Sequence, residues 1–92
     1  MNGDDDFQLD LDALGRSCRC SVELIVELVH EGAIEPQGAS QGDWRFGSAA
    51  LQRARRAVRL AQDLELDSSG VALALELLDQ IERLKAALAS RG

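Results

Sequence analysis

The spacing of apolar residues predicts two short helices near the start of the chain. Two leucines share one face of a helix over residues 11–17, for which Asp10 is a suitable N-cap. A second apolar stripe at helical spacing follows the potential N-cap Ser21, and its members are Leu24, Ile25, Leu28 and Val29. Gly32 is placed to end this second helix. Two helices joined by a short turn within about 22 residues form the helix-turn-helix arrangement.

The pattern changes after Gly32 and predicts a β-hairpin. The segment "AIEP" is short and extended, "QGASQG" is typical of a loop, and "DWRF" alternates as an edge strand does. Two short strands around a polar loop correspond to the wing of a winged helix-turn-helix. Trp44 and Phe46 point to the same side of the second strand, so we expect both to close the small core against the first two helices.

Two longer helices are predicted in the second half of the chain. Ser48 is a candidate N-cap for the third helix, and "LDSSG" interrupts the pattern so that Asp67 or Ser68 can cap the fourth. The fourth helix carries a band of apolar side chains, namely Val71, Ala74, Leu77, Leu78, Ile81, Leu84 and Leu88. This band is wider than one neighbouring helix needs, and a chain of 92 residues has little left to cover it. We therefore predict that the fourth helix forms a homodimer interface.

The order of these elements predicts a mostly α-helical fold that resembles the MerR-type winged helix-turn-helix. We expect an acidic, flexible N-terminus over residues 1–8. Residues 9–66 are predicted to form the winged helix-turn-helix-like domain with its β-hairpin wing and the third helix. Residues 67–92 are predicted to form a C-terminal dimerisation helix.

Composition supports a single soluble domain and places the negative charge in the first half. Hydrophobic residues make up 46% of the chain and charged residues 28%. Residues 1–48 carry ten acidic and three basic side chains, whereas residues 49–92 carry six and seven, so a partner of the first half is expected to be basic. No apolar run approaches the ~20 residues of a membrane span, and the acidic start does not resemble a signal peptide. We therefore expect a cytoplasmic protein without membrane contact.

Candidate catalytic and metal-ligating residues are few. Cys18 and Cys20 form a C-x-C without a second pair, and the chain has one histidine, so we expect reduced thiols and no metal site. The sequence contains no glycine-rich phosphate loop, no G-x-S-x-G and no H-E-x-x-H motif. His30 at the end of a helix is typical of a surface residue that interacts with the helix dipole. We expect neither catalysis nor a cofactor.

Two charged clusters support opposite predictions about DNA binding. Glu23, Glu27 and Glu31 lie one turn apart on the second helix, and we name these three residues the acidic ridge. This ridge would repel phosphate at the position where a helix-turn-helix protein places its reading helix. The third helix carries a basic cluster, which consists of Arg53, Arg55, Arg56 and Arg59. These arginines either contact phosphate or form ion pairs with acidic residues of this or a second chain, and we favour ion pairs.

The order and spacing of several segments resemble the chaperone modulatory protein CbpM family. "VELVHEGAIEP" and "WRF" match its first half, and "RAVRL", "LELD", "GVALAL" and "LLDQIERLK" match its second half. The resemblance covers the chain from about Leu9 to Leu88. It implies a MerR-like fold that does not act on DNA. Family members form homodimers and bind the J-domain of the DnaJ-like co-chaperone CbpA, which prevents that J-domain from stimulating the chaperone DnaK.

An acidic surface fits this implied role, because J-domains present a basic helix to DnaK. We therefore assign partner binding to the acidic ridge and to three residues near the same edge, which are His30, Asp43 and Trp44. Trp44 is a candidate apolar anchor, although a core position is favoured for it. The alternative function is a MerR-type DNA-binding transcriptional regulator that contacts phosphate through Arg45, Arg53, Arg56 and Arg59.

Overall fold

Four helices account for most of the computed structural model, which describes residues 7–91. They are α1 (Leu11–Cys18), α2 (Val22–His30), α3 (Ser48–Leu64) and α4 (Ser68–Arg91), with a 3-10 turn at Gln41–Asp43. The predictions of a mostly helical fold and of a helix-turn-helix formed by α1 and α2 are confirmed. The predicted flexible N-terminus falls largely on residues 1–6, which lie outside the described residues, as does residue 92.

Side-chain caps begin both helices of the helix-turn-helix where the sequence predicts them. Asp10 accepts a hydrogen bond from the Ala13 N–H at 2.8 Å. The Ser21 hydroxyl accepts one from the Leu24 N–H at 3.1 Å. Each cap satisfies an N–H that has no partner within its own helix, so these two residues fix where α1 and α2 start.

The turn between α1 and α2 is tight. α1 ends at Arg19, whose φ of 56° lies in the left-handed region, and the Cys20 N–H donates to the Gly15 carbonyl at 3.1 Å. A Cβ atom on Gly15 would lie 3.3 Å from the Cys20 carbonyl oxygen. The missing side chain at Gly15 therefore allows the turn to fold closely against α1.

The two longer helices begin differently. The prediction that Ser48 caps α3 is wrong, because Gly47 occupies the N-cap without a side-chain hydrogen bond and Ser48 is already helical. The extended segment ends at Phe46 and α3 begins at Ser48, so Gly47 is the one residue between them and takes the N-cap position. The prediction for α4 is confirmed at Asp67, whose carboxylate accepts hydrogen bonds from the Gly70 N–H at 2.9 Å and the Ser69 hydroxyl at 3.0 Å. These two bonds lower the pKa of Asp67.

The predicted β-hairpin wing is wrong, because the described residues 7–91 contain no β-strand. Isolated antiparallel bridges pair Gln37 with Arg45 and Leu9 with Phe46. Gln37 and Arg45 exchange two hydrogen bonds, at 2.8 and 2.9 Å. The pairing does not extend, because Gly38 turns the chain on one side with a φ of 111° and α3 begins on the other. The segment that alternates like a strand therefore forms single bridges only.

The helices enclose one core with two grooves on opposite sides. α1 packs against α2 and α3, and α4 packs against the same two helices, so the α1/α3 boundary lies opposite the α2/α4 boundary. The largest fully buried side chains are Leu14, Ile25, Leu28, Ile34, Phe46, Val71 and Leu75. Trp44 is also buried, which confirms that it closes the core together with Phe46.

Only the first half of α4 belongs to this core. Val71 and Leu75 are fully buried, whereas every residue from 80 to 91 is exposed. A helix of 24 residues is about 36 Å long, so its second half extends past the other helices. α4 therefore presents a long surface that residues 7–91 leave uncovered.

Gly38→Ala is expected to lower the free energy of unfolding by about 1–3 kcal/mol. Other residues rarely adopt the φ of 111° found here, and a Cβ atom would lie 2.5 Å from the Asp43 carbonyl oxygen. Gly42→Ala is the matched control, because nothing lies within 4 Å of a Cβ at that position. Urea unfolding followed by circular dichroism measures both variants. Equal midpoints for the two would contradict the strain assigned to Gly38.

Candidate functional site

The acidic ridge forms the outer face of α2. Glu23, Glu27 and Glu31 are exposed, whereas Ile25 and Leu28 on the inner face are fully buried. This division follows the helical period of the sequence. Neither of the two ion pairs within residues 7–91 involves the ridge, so its three carboxylates face solvent.

An aromatic stack connects the end of α2 to the core. The exposed His30 ring lies edge-on to Trp44 with ring centroids 6.2 Å apart, and Trp44 packs in the same way against Phe46 at 6.2 Å. Trp44 is only 8% exposed, so it offers little surface to a partner. Asp43 precedes it in the chain, is exposed and accepts a hydrogen bond from the Ser40 hydroxyl at 3.0 Å. The structure thus places His30 beside Trp44, but within a stack that mainly serves packing.

Arg53 of α3 connects three segments of the chain. Its Nε donates to the Ala33 carbonyl after α2, while Nη1 and Nη2 donate to the two carboxylate oxygens of Asp79 on α4 at 3.2 and 3.0 Å. This fork is the strong geometry for an arginine–carboxylate pair. The hydrogen bonds from Arg53 lower the pKa of Asp79, and the positive charges of Arg83 and Arg56 contribute in the same direction. Arg53 therefore holds α4 against the segment that follows α2.

Two of the other three arginines of the DNA-binding alternative are also engaged within the chain, whereas Arg59 is exposed. Arg56 pairs with Glu82 of α4 at 3.7 Å, in a more exposed pair than that of Arg53. The Arg45 guanidinium donates to the Trp44 carbonyl at 2.7 Å. The preference for ion pairs is thus confirmed for Arg53 and Arg56, and phosphate contact would have to compete with these bonds.

A basic cleft between α1 and α3 was not predicted from the sequence. Arg19, Arg55 and Arg59 line it together with Asp63, around a volume of about 360 Å³. Arg55 and Arg59 are one turn apart on α3, which is a signal that the sequence does contain. Arg19 lines the cleft only because α1 packs against α3, and the sequence alone does not show that packing. The basic side chains of this cleft lie at the boundary opposite to the one that α2 shares with α4.

The two cysteines are free thiols in this structure. Burial raises the pKa of Cys18, against a smaller lowering by Arg55, and burial together with the neighbouring Cys18 raises the pKa of Cys20. Such thiols are poor nucleophiles at neutral pH. Within residues 7–91, no group of three His, Cys, Asp or Glu side chains could hold a metal ion. The same part of the chain contains no helix with both the length and the apolar character of a membrane span.

A groove runs between the end of α2 and α4. On one side lie Glu31 and Gly32, and on the other lie α4 residues that include Leu73, Glu76 and Arg83, with Arg53 and Asp79 also in the lining. We name this feature, of about 460 Å³, the α2/α4 groove. Leu73 is 57% exposed and lies outside the apolar band predicted for dimerisation. Leu73 lies four residues, or about one helical turn, before Leu77, and this spacing is the sequence pattern that could have identified it.

The residues predicted for dimerisation occupy three environments. Val71 is fully buried inside the chain and leaves no side-chain surface for a second copy. Ala74 and Leu78 are half-buried. The remaining four side chains are between 46% and 65% exposed and follow α4 from residue 77 to residue 88, and we name them the exposed seam: Leu77, Ile81, Leu84 and Leu88.

Comparison with known proteins adds to this geometry. A model of the MerR HTH family of regulatory proteins matches residues 9–90. A chaperone modulatory protein CbpM from Pseudomonas putida (strain F1) is 42% identical over 78 residues, which cover 85% of this chain and 77% of the relative. The chain belongs to the chaperone modulatory protein CbpM family. The CbpM protein of Coxiella burnetii (strain Dugway) is likewise 40% identical over 77 residues, covering 84% of this chain and 73% of the relative.

Family membership confirms the resemblance read from the sequence and the MerR-like helix-turn-helix. The relatives are named as chaperone modulators and the matched family as regulatory proteins. Both names describe regulation or modulation, and neither names a catalysed reaction. The surfaces that deserve functional testing are therefore those that can bind another macromolecule.

Asp79→Asn is expected to lower the melting temperature at pH 7, because it breaks the fork with Arg53. The lowered pKa means that this stabilisation is present above the unfolded-state pKa of about 3.9 and is lost as pH falls through the folded-state value. The difference in melting temperature between wild type and Asp79→Asn should therefore shrink in acid. Glu82→Gln is the matched control at pH 7, with a smaller effect because its pair is longer and more exposed. Equal effects of both variants would contradict the role of Arg53.

Proposed function

We propose that this protein is a chaperone modulator that binds the J-domain of a CbpA-type co-chaperone and so inhibits its stimulation of DnaK. The observation that carries the proposal is the exposed acidic ridge on α2, the helix that a DNA-binding helix-turn-helix protein uses for reading. Relatives that match most of the chain are named chaperone modulatory proteins, which supports the same role. A protein that acts beside DnaK belongs in the cytoplasm.

The negative charge of the acidic ridge provides a mechanism for inhibition of the J-domain. J-domains present a basic helix to DnaK, and a row of carboxylates on α2 is complementary to that helix. Binding of this protein to that basic helix would exclude DnaK by direct competition. Opposite charges on two proteins mainly raise the rate of encounter and select the partner, so binding should weaken as the salt concentration rises.

The DNA-binding alternative has less support. Phosphate binding needs cations near the reading helix, and α2 there carries Glu23, Glu27 and Glu31 instead. Arg45, Arg53 and Arg56 already donate to acceptors of the same chain. A MerR-like scaffold is compatible with either function, because function depends on surface residues rather than on the fold.

We also propose that the protein acts as a homodimer through α4. The exposed seam has spacings of four, three and four residues, which is the pattern of core positions in a coiled coil. Four large apolar side chains in one exposed row are unusual for a monomer in water. Pairing with a second α4 would bury them.

Charge reversal of the ridge tests the binding surface. Glu23→Lys/Glu27→Lys should weaken binding to the J-domain of CbpA by about tenfold or more, because it replaces attraction with repulsion. Isothermal titration calorimetry at low and physiological salt measures the affinity. Asp63→Lys/Glu65→Lys near the end of α3 is the matched control, since it changes the net charge equally at exposed positions away from α2.

An unchanged affinity of the ridge variant would remove the ridge from the interface. A gel-shift experiment with a palindromic promoter fragment at low salt tests the alternative function. Sequence-specific retention of that DNA by the wild-type protein would favour the transcriptional regulator. We expect none beyond weak, salt-sensitive binding.

Leu84→Asp is expected to convert the dimer to a monomer, because it places a charge in the centre of the exposed seam. Ala86→Asp introduces the same charge about 200° around the helix and should leave the dimer intact. Size-exclusion chromatography with multi-angle light scattering measures the mass of each variant. A monomeric wild-type protein, or equal behaviour of the two variants, would contradict dimerisation through the seam.

A further inference from the structure

The α2/α4 groove combines an exposed apolar side chain with acidic side chains on both of its sides. Leu73 is 57% exposed at the α4 edge, which is more than a helix facing its own core would allow. Beside it on α4 lies Glu76, and across the groove lies Glu31, both exposed. Glu31 is also the last residue of the acidic ridge, so the groove continues the ridge from α2 onto α4.

The charges along the groove are not uniform. The opposite charges of Arg53 and Asp79 are paired in the lining, so this part of the groove carries little net charge. Glu76 lies one turn from Leu73 on α4, whereas Arg83 lines the groove about 10 Å further along the same helix. From Ser69 to Arg83 the groove follows about 21 Å of α4, which matches roughly four turns of a bound helix.

We propose that the α2/α4 groove is where the partner inserts one basic amphipathic helix, with Leu73 as the apolar anchor and Glu31 and Glu76 as its charged rim. This inference rests on the proposed function, and it adds α4 to a contact surface that the ridge alone would confine to α2. In protein interfaces a few residues packed near the centre, and shielded from water by the contacts around them, supply most of the binding energy. The charge gradient sets the direction of the bound helix, with its basic residues at the Leu73 end.

Charge complementarity selects this occupant over a second copy of the chain. A second copy carries a net charge of −6, and its own acidic ridge would meet Glu31 and Glu76 with like charge. A basic helix meets the same rim with attraction. Along α4 the exposed seam overlaps the groove, but Glu76, Asp79 and Arg83 lie about 100° or more around the helix from the centre of the seam, so a partner and a second copy contact different faces.

Leu73→Ala tests the anchor in the full-length protein. It should weaken binding to the J-domain of CbpA by about tenfold, mainly through faster dissociation measured by surface plasmon resonance. Leu64→Ala is the matched control, because Leu64 is 59% exposed at the end of α3 and away from the groove. Glu76→Lys should weaken binding at low salt more than at high salt, with Glu65→Lys as its control. Light scattering of each variant records its oligomeric state.

Four outcomes decide the inference. Loss of affinity in Leu73→Ala and Glu76→Lys, with both controls and the oligomeric state unchanged, supports it. Binding by all variants with wild-type affinity overturns the groove but leaves the proposed function intact. Loss of the dimer in Leu73→Ala assigns the groove to a second copy and also overturns the inference. Failure of the wild-type protein to bind the J-domain overturns both the proposed function and this extension of it.

Discussion

The guanidinium of Arg53 determines how the candidate surfaces are placed relative to one another. One side chain of α3 donates to the Ala33 carbonyl behind α2 and to both carboxylate oxygens of Asp79 on α4. α2 carries the acidic ridge, and α4 carries both Leu73 and the exposed seam. Since the side chains of Arg53 and Asp79 remain about one-third exposed, water competes for their hydrogen bonds. The main consequence of the pair is therefore the geometry of the α2/α4 groove, more than the total stability of the fold.

α4 has two physical roles along its length. Its first half contributes Val71 and Leu75 to the core, and its second half, from residue 80, is exposed on every face. A chain of this length can bury only a limited apolar surface, and its core is complete before α4 ends. Leu77, Leu84 and Leu88 therefore stay exposed. In the function proposed above, one face of this helix pairs with a second copy and another face contributes to partner binding.

The helix-turn-helix scaffold separates the residues that preserve the fold from those that decide the partner. Ile25 and Leu28 hold α2 in place from its buried side, while the outward positions are occupied by glutamates. Packing places no restriction on the charge of an outward side chain, so the scaffold accommodates an acidic surface as readily as a basic one. Membership of a family whose model describes regulatory helix-turn-helix proteins therefore agrees with a proposed partner other than DNA.

The helices, three of their four starts and the segregation of charge could be predicted from the sequence, because helical period and N-caps are local properties. Asp10, Ser21 and Asp67 act as predicted, and the burial of Trp44 and Phe46 follows from alternation. Which segments contact one another is visible only in the tertiary structure. Single bridges replaced the hairpin because pairing depends on where neighbouring segments begin and end. The partners of Arg53, the groove beside Leu73 and the cleft at Arg19 likewise depend on helices distant in sequence, whose packing no local pattern encodes.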